Sequence, residues 1–210
     1  MIIDKICTYI QTRENLMFKK IFTILAMMIL LSPCYAKETL VQITLSTDMG
    51  EIQLELYPEK APETVKNFLS YVTSEYYDGL VFHRVIKGFM IQAGGFDEEL
   101  NTREPAGKPV INESFNGLRN AKGTIAMARQ SDPDSARSQF FINVVDNWNL
   151  DPRNHKPGYT VFGRIISGMD VAEKISKVST KATRHMRDVP ITPIHIVEAK
   201  ALDIKILKDR

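Results

Sequence analysis

The amino-acid sequence predicts a mainly β protein, a closed antiparallel barrel with a helix over each open end. Three observations lead to this fold class. Seven or eight short segments of apolar residues, several of them alternating with polar ones, recur from residue 41 onward. Only two stretches show the apolar spacing of an amphipathic helix. The connecting loops are polar and contain Gly and Pro, and no internal repeat or interdomain linker appears.

The predicted strands begin with a β-hairpin. Val41, Ile43 and Leu45 alternate with polar residues, and residues 52–56 repeat the pattern after a turn at 47–50. This pattern is typical of a hairpin with one buried face. Further strands are expected at 81–86, 90–93, 124–128, 139–144, 159–165 and 194–207.

Two helices are predicted, and the first has both a start signal and an apolar face. Pro62 and Glu63 stand in the first turn of one helix, where proline and an acid are both favoured. Its apolar face follows the i, i+3, i+4, i+7 spacing, with Val65, Phe68, Leu69 and Val72. The second helix is expected at 169–178, and the segment 179–193 is expected to be a loop.

The first 36 residues have the pattern of a cleavable export signal. A basic start at 17–20 precedes an apolar run at 21–31, and small residues ending in Ala36 follow. The run is shorter than the about 20 residues that span a bilayer. We therefore expect cleavage after Ala36, no stable membrane insertion, and a single domain at 37–210.

Two alternatives stay open at this end of the chain. Translation is expected to begin at Met17, because residues 1–16 extend the basic region of the signal with acidic residues. Residues 31–34 also resemble a lipoprotein box, which would anchor the protein through Cys34. The proline before Cys34 fits that box poorly, so we expect cleavage rather than lipidation.

Removal of this segment changes the charge and cysteine content. Four of the 27 basic residues and two of the 25 acidic residues lie in it, which leaves 23 of each. This balance gives no electrostatic basis for binding nucleic acid or an anionic membrane. Both cysteines, Cys7 and Cys34, leave with the signal. The remaining domain must therefore be stabilised by its core and not by disulfides.

The sequence lacks the motifs of metal, nucleophilic and nucleotide-dependent enzymes. None of the four histidines has another histidine or a cysteine at a metal-ligand spacing, and no phosphate-binding loop or nucleophile elbow is present. Carboxylate pairs such as Glu98 and Glu99 lie in polar loops. An enzyme with this sequence is expected to need no cofactor and no metal.

Arg84 is a charged residue whose position suggests a function. It stands in an apolar segment, and a guanidinium is rarely buried without a partner and keeps its charge at physiological pH. Rotation about a prolyl peptide bond needs only an apolar pocket and one fixed donor, because its barrier of about 18–20 kcal/mol comes from amide resonance. A donor aimed at the prolyl nitrogen favours the twisted state.

Several longer motifs carry a resemblance to a known family. Residues 82–92 read FHRVIKGFMIQ and closely resemble the signature of the cyclophilin-type peptidyl-prolyl cis-trans isomerases. The segments NAKGTIAMA at 120–128, SQFFIN at 138–143 and YTVFG at 159–163 occur in the order and spacing of that family. The resemblance extends over about residues 40–207. With an export signal in front, the chain most resembles the periplasmic members of Gram-negative bacteria.

The resemblance implies an eight-stranded barrel capped by two helices, with the site on its outer face. By position, Arg84 matches the catalytic donor, and Gln92 matches the residue that holds it. Ala128 matches the residue that contacts the position before proline. The walls of the proline pocket are matched by Phe89, Met90, Phe141 and Leu150.

Three positions depart from the best-known eukaryotic pattern of the family. Arg129 replaces an asparagine that bonds the substrate backbone, and it is expected to donate in its place. Tyr159 replaces a histidine at the pocket rim. Asn149 stands at the position of a pocket-edge tryptophan, and Trp148 is displaced from it by one residue. This last change predicts weak binding of cyclosporin.

The expected partners are proline-containing unfolded or flexible polypeptides in the periplasm, bound by a monomer. One rival hypothesis is a non-catalytic module that grips proline segments as a chaperone or adhesin. Another is a small-ligand barrel of the lipocalin kind, which would need an open interior. The large residues Ile43, Leu54, Phe140 and Ile142 are instead expected to fill that interior.

Overall fold

The computed structural model describes residues 39–206. The predicted export signal, its cleavage site and Cys34 lie outside the described residues. The strands are β1 (Thr39–Thr47), β2 (Gly50–Leu56), β3 (Arg84–Ile86), β4 (Met90–Ala93), β5 (Thr124–Met127), β6 (Phe140–Asn143), β7 (Val161–Ser167), β8 (Thr180–Lys181), β9 (Val189–Pro190) and β10 (Ile196–Ile206). The helices are α1 (Pro62–Thr73) and α2 (Met169–Ile175), and short 3₁₀ turns lie at Pro133–Ser135 and Trp148–Leu150.

Eight strands form one antiparallel sheet in the order β10-β1-β2-β7-β5-β6-β4-β3. Its two edges meet just before β3 and β10, where Val81 and His195 form an isolated bridge. Backbone bonds from Phe82 N to Ile194 O (2.9 Å) and from Ile196 N to Leu80 O (2.8 Å) complete the join. The predicted eight-stranded barrel fold is confirmed, although a short contact rather than a continuous ladder closes the sheet.

The interior of the sheet is filled by large apolar side chains. Ile43, Leu54, Phe140 and Ile142 are all fully buried in one core cluster. Alternation along each strand turns these residues inward, as the period of two predicts. Within the described residues, the barrel has no open interior of the kind that a small-ligand carrier needs, and the lipocalin hypothesis is wrong.

Helix α1 packs on this core and begins where the sequence predicts. The ring of Phe68 lies 5.2 Å from that of Tyr77 and 5.1 Å from that of Phe162. Ala61 at the N-cap has no side chain that accepts a bond. Glu113 accepts instead from Thr64 N at 2.9 Å, so a distant loop satisfies the helix start.

Several boundaries differ from the predicted ones. Strand β3 begins at Arg84 rather than at residue 81, because the preceding residues bond to the segment before β10. Helix α2 ends at Ile175, three residues early. The predicted loop at 179–193 contains β8 and β9, which pair as a separate two-stranded sheet. No helix in the described part of the chain is long and apolar enough to cross a membrane.

A second, smaller apolar cluster lies on the outer face of the sheet. It consists of Met90, Ala126, Phe141 and Val161. Their strand neighbours, such as Ile91 and Ile142, belong to the interior core. Because successive side chains on a strand point to opposite faces, the two clusters lie on opposite sides of the same sheet. The outer cluster is the floor of the candidate site.

Candidate active site

The site is built on a row of residues that runs across four neighbouring strands. Arg84 pairs with Gln92, Gln92 with Phe141, and Phe141 with Ala126 in the strand registers. Directly opposite residues share a face of the sheet. The backbone register therefore places the guanidinium, the amide and the aromatic ring side by side, although β3 and β5 are far apart in the sequence.

A small cavity opens above this row, with a volume of about 130 Å³. That is well above the about 10–15 Å³ that a cavity needs to hold one water molecule, so there is room for a single small ring. It is lined by Arg84, Met90, Gln92, Ala128, Arg129, Phe141, Leu150 and Tyr159. Eight of the nine residues singled out in the sequence thus meet at one place. The ninth, Phe89, packs against the outer cluster beneath it.

Arg84 differs from its predicted environment. Val85, not Arg84, faces the core, and 43% of the Arg84 side chain is exposed. Its Nη1 donates to Oε1 of Gln92 at 3.5 Å, and its Nε lies 3.9 Å from Oδ2 of Asp188. Among the described residues, Nη2 has no hydrogen-bond partner. The arginine is thus held from two sides while part of its donor edge remains open.

Two residues that support Arg84 were not identified from the sequence. Nε2 of Gln92 donates to Oε1 of Gln139 at 2.9 Å, so Gln139 continues the chain of polar side chains. Gln139 lies two residues before Phe141, and period-two alternation predicts that both share a face. Asp188 stands in a positive-φ conformation (φ 61°), and its carbonyl oxygen accepts from Val85 N at 2.8 Å. No local pattern indicates that contact.

Arg129 belongs to the cavity rim, but its donors are largely used within the protein. Its Nε donates to Gly158 O at 3.3 Å, its Nη2 to Pro157 O at 3.2 Å, and its Nη1 to Gln130 O at 2.9 Å. The guanidinium also stacks 4.7 Å above the ring of Tyr159. These contacts fix the rim loop. The predicted donation from Arg129 to a substrate backbone would have to compete with them.

Tyr159 contributes an aromatic wall to the cavity. Its ring meets that of Phe141 edge to face, with the centroids 5.6 Å apart and an interplanar angle of 79°. Its backbone N donates to Leu150 O at 2.9 Å, which joins two walls of the cavity. The aromatic ring expected at this position is present. The same hydrogen bond connects the loop of Tyr159 to the loop of Leu150.

Buried asparagines hold the loop that carries Leu150. Asn147 donates from Nδ2 to Oδ1 of Asn143 at 2.7 Å and to Phe89 O at 2.9 Å. Asn143 in turn donates to Oδ1 of Asn120 at 3.2 Å, and Asn120 N donates to Asp151 at 2.8 Å. Satisfied buried polar networks of this kind fix a single arrangement. They position Leu150 from both sides of its turn.

Trp148 and Asn149 do not line the small cavity. Both belong to the 3₁₀ turn that ends at Leu150, and Asn149 is exposed. Trp148 forms part of a neighbouring groove instead. The one-residue displacement seen in the sequence therefore directs the indole away from the cavity that Leu150 lines.

His83 is buried next to the site but is not protonated at neutral pH. Burial lowers its pKa to about 4, because desolvation disfavours the charged ring. Its ring packs 4.6 Å from that of Phe96. Within residues 39–206, no group of three or more His, Cys, Asp or Glu side chains is placed to bind a metal ion. Arg84 and Arg129 are thus the charged groups that line the cavity.

Comparison with known proteins assigns the chain to a family. Residues 40–201 match the family model described as cyclophilin type peptidyl-prolyl cis-trans isomerase/CLD. The chain is 50% identical over 171 residues to peptidyl-prolyl cis-trans isomerase A of Dickeya dadantii, covering 81% of this chain and 90% of that protein. It is 47% identical over 166 residues to a peptidyl-prolyl cis-trans isomerase of Acinetobacter baylyi, covering 79% and 88%.

The solved structures agree with the sequence relatives. A cyclophilin type isomerase of Cryptosporidium parvum superposes with a TM-score of 0.65 at 25% identity, covering 79% of this chain and 99% of that one. The same protein in the presence of the dipeptide Ala-Pro superposes with a TM-score of 0.64 at 26% identity, with coverages of 77% and 99%. The fold, the family model and the relatives lead to one conclusion: the chain belongs to the cyclophilin-type peptidyl-prolyl cis-trans isomerase family.

Proposed function

We propose that this protein catalyses cis/trans rotation of Xaa-Pro peptide bonds, with Arg84 as the donor to the prolyl amide. The observation that carries the proposal is a ring-sized cavity that has apolar side chains on one wall and a guanidinium at its edge. Met90, Phe141 and Leu150 supply an apolar wall that suits a pyrrolidine ring. Membership of the isomerase family and the names of the relatives support the same reaction.

The mechanism needs no proton transfer. The cavity holds the proline ring still while the carbonyl that precedes it rotates, and an N–H of Arg84 donates to the prolyl nitrogen as its lone pair becomes localised. Arginine suits this task because it stays protonated and its planar fork is rigid. Lowering the barrier by a third, about 6–7 kcal/mol, accelerates rotation by more than about ten-thousandfold.

Gln92 and Ala128 are assigned supporting roles in this proposal. Gln92 orients Arg84 and offers its amide to the substrate backbone, while Ala128 contacts the residue before proline. The backbone N of Ala128 donates to Gln139 O at 3.0 Å, so this wall is tied to the same polar chain. Gln92 lies on β4 and Ala128 directly follows β5, so the sheet positions both groups.

The test is an isomerisation assay on an Xaa-Pro peptide with the chain from residue 37 onward. Catalysis is expected, and Arg84→Ala is expected to reduce kcat/KM by at least about tenfold. Arg164→Ala is the matched control, because Arg164 is an exposed arginine that pairs with Glu55 away from the cavity. Equal rates for Arg84→Ala would contradict its assigned role. Binding without any catalysis would favour the non-catalytic chaperone or adhesin module.

We also propose that the enzyme acts as a periplasmic monomer on exported polypeptides, after cleavage behind Ala36. The basic, apolar and small-residue pattern of residues 17–36 supports export, and the charge balance of 37–210 gives no basis for binding nucleic acid. Mass spectrometry of the exported protein is expected to find Lys37 at its N-terminus. A lipid on Cys34 or an uncleaved chain would contradict this, and light scattering checks the monomer.

A further inference from the structure

A second depression lies beside the proline cavity and is not used by the mechanism above. We call it the flanking groove, and it runs between residues 114–119 and 148–153 with a volume of about 360 Å³. That volume is within the range of about 300–1,000 Å³ found for ligand pockets. Two aromatic side chains in it are open to solvent, Phe115 at 60% and Trp148 at 38% exposure.

The flanking groove and the proline cavity share a wall. Leu118 lines the groove and packs against the outer apolar cluster whose Met90 and Phe141 line the cavity. Trp148 and Leu150 lie at the two ends of one 3₁₀ turn, which rises by only about 4 Å between them. An extended polypeptide advances about 3.3 Å per residue. A chain with its proline in the cavity therefore reaches the groove within about three residues.

The rim of the flanking groove is positively charged. Arg119 is 71% exposed and stacks over Trp148 at 5.2 Å, while Nη2 of Arg153 donates to Trp148 O at 2.6 Å. The one carboxylate in the lining, Asp151, is only 11% exposed and accepts two bonds from Asn120. Its Oδ2 also lies 3.9 Å from Nε of Arg119, so it offsets part of that charge. The two arginines outnumber this single carboxylate, and the lining keeps a net positive charge toward a ligand.

We propose that the flanking groove is a subsite for the segment next to the proline and selects substrates with an acidic residue there. This inference rests on the proposed isomerase function, because the groove continues the proline cavity. The carboxylate of the substrate pairs with Arg119 at the rim. The apolar part of the substrate segment lies on Phe115 and Trp148. An exposed charge pair adds little to the binding free energy. It still discriminates between substrates, so the expected effect is selectivity among proline sites.

Trp148 makes the test direct, because it is the only tryptophan of the chain. Its emission reports occupation of the groove and is independent of catalysis. The probes are eight-residue peptides with a central Ala-Pro pair and with Glu, Gln or Lys placed in turn at each of the three positions on either side of that pair. At one position or more, the Glu peptide is expected to bind at least about threefold tighter than the Lys peptide at low salt. This difference is expected to vanish at high salt.

Two variants with the same change of charge locate the effect. Arg119→Glu is expected to reverse the preference from Glu to Lys. Lys66→Glu is the control, because Lys66 is exposed on α1 and lines a different depression. Equal binding of Glu and Lys peptides at all six positions would overturn the proposal. An equal response to Lys66→Glu would also overturn it, since net charge would then explain the preference.

A peptide with alanine in place of proline tests the continuity of the two sites. It is expected to bind at least about tenfold more weakly, because the cavity contact is lost. Equal binding would make the groove a separate site and contradict the proposal. Rotation of each peptide is followed in parallel by NMR exchange. Absence of rotation in every peptide would contradict the proposed enzyme activity, whereas the fluorescence result would still decide the subsite.

Discussion

Arg84 and Gln92 lie directly opposite each other on β3 and β4, with Nη1 of the arginine 3.5 Å from Oε1 of the glutamine. Gln92 donates onward to Gln139 at 2.9 Å. The direction of the guanidinium is therefore set by the register of adjacent strands. A donor held in this way needs little reorganisation when a substrate arrives.

Gln92→Leu is expected to lower kcat/KM by about tenfold, because it removes the acceptor that orients Arg84 and leaves Gln139 without its partner. The measurement is the isomerisation assay, together with Trp148 fluorescence for peptide binding. Gln53→Leu on β2 is the control, since Gln53 is half-buried away from the cavity. A Gln92→Leu enzyme with unchanged kcat/KM would show that Arg84 needs no such support.

Asp188→Asn is expected to change kcat/KM by less than about threefold, because exposed ion pairs contribute little. Arg84 and Asp188 are 43% and 41% exposed, and their nearest charged atoms are 3.9 Å apart. Asparagine also tolerates the positive φ of this position. The effect should shrink further in high salt. A tenfold loss would instead make Asp188 a principal positioning residue.

The pH dependence of catalysis is expected to be weak. Arg84 remains charged at all relevant pH values. His83 remains neutral above its lowered pKa of about 4, which results from burial. We therefore expect kcat/KM to vary by less than about twofold between roughly pH 5.5 and 8.5. A bell-shaped profile centred near neutral pH would contradict a mechanism without proton transfer.

His195 is expected to make stability depend on pH. Its Nδ1 lies 2.7 Å from Oδ2 of Asp48 and its Nε2 lies 3.3 Å from Glu98. The bond to Asp48 raises the pKa of His195, and the backbone N–H of His195 lowers the pKa of Asp48. The histidine contribution is present below its unfolded pKa of 6.5 and is lost as the pH rises through the raised value. The carboxylate contribution is lost as the pH falls below 3.8.

The measurement is urea unfolding of the wild type and His195→Asn at about pH 5.5 and 8.5. The destabilisation by His195→Asn is expected to be larger at the lower pH. His83 acts in the opposite direction, since its lowered pKa reduces stability on acidification, but it is common to both proteins and cancels in the difference. The exposed His185→Asn variant is the control. A difference that grows with pH would contradict the assigned partners.

Gly168→Ala is expected to destabilise the fold by at least about 2 kcal/mol. Gly168 has a φ of 85° before α2, and a Cβ there would overlap the carbonyl oxygen of Glu51. Gly88→Ala is the matched control, because Gly88 has a φ of 68° but nothing within 4 Å of the added carbon. Thermal unfolding should show a larger drop in Tm for Gly168→Ala. Equal drops in Tm for the two variants would show that the positive φ alone, and not the overlap with Glu51, causes the destabilisation.

The eight strands of the main sheet, the filled interior and eight residues of the cavity lining were all predictable from sequence patterns. Period-two alternation tells which side of a strand faces the core, so Ile43 and Phe140 were predictable from their neighbours alone. The motifs around Arg84, Phe141 and Tyr159 contain most of the residues that line the cavity. Each motif lies on a strand or loop that borders the cavity directly. Gln139 was within reach of the same reasoning, one alternation before Phe141.

The surroundings of these residues depend on contacts between segments that are distant in the sequence. The contact between Arg84 and Asp188 joins β3 to a distant loop. No sequence pattern near either residue predicts this contact. The use of the Arg129 donors by the rim loop and the placement of Trp148 in the flanking groove arise in the same way. Local patterns encode which face a side chain takes, whereas contacts between loops depend on how the whole sheet packs and closes.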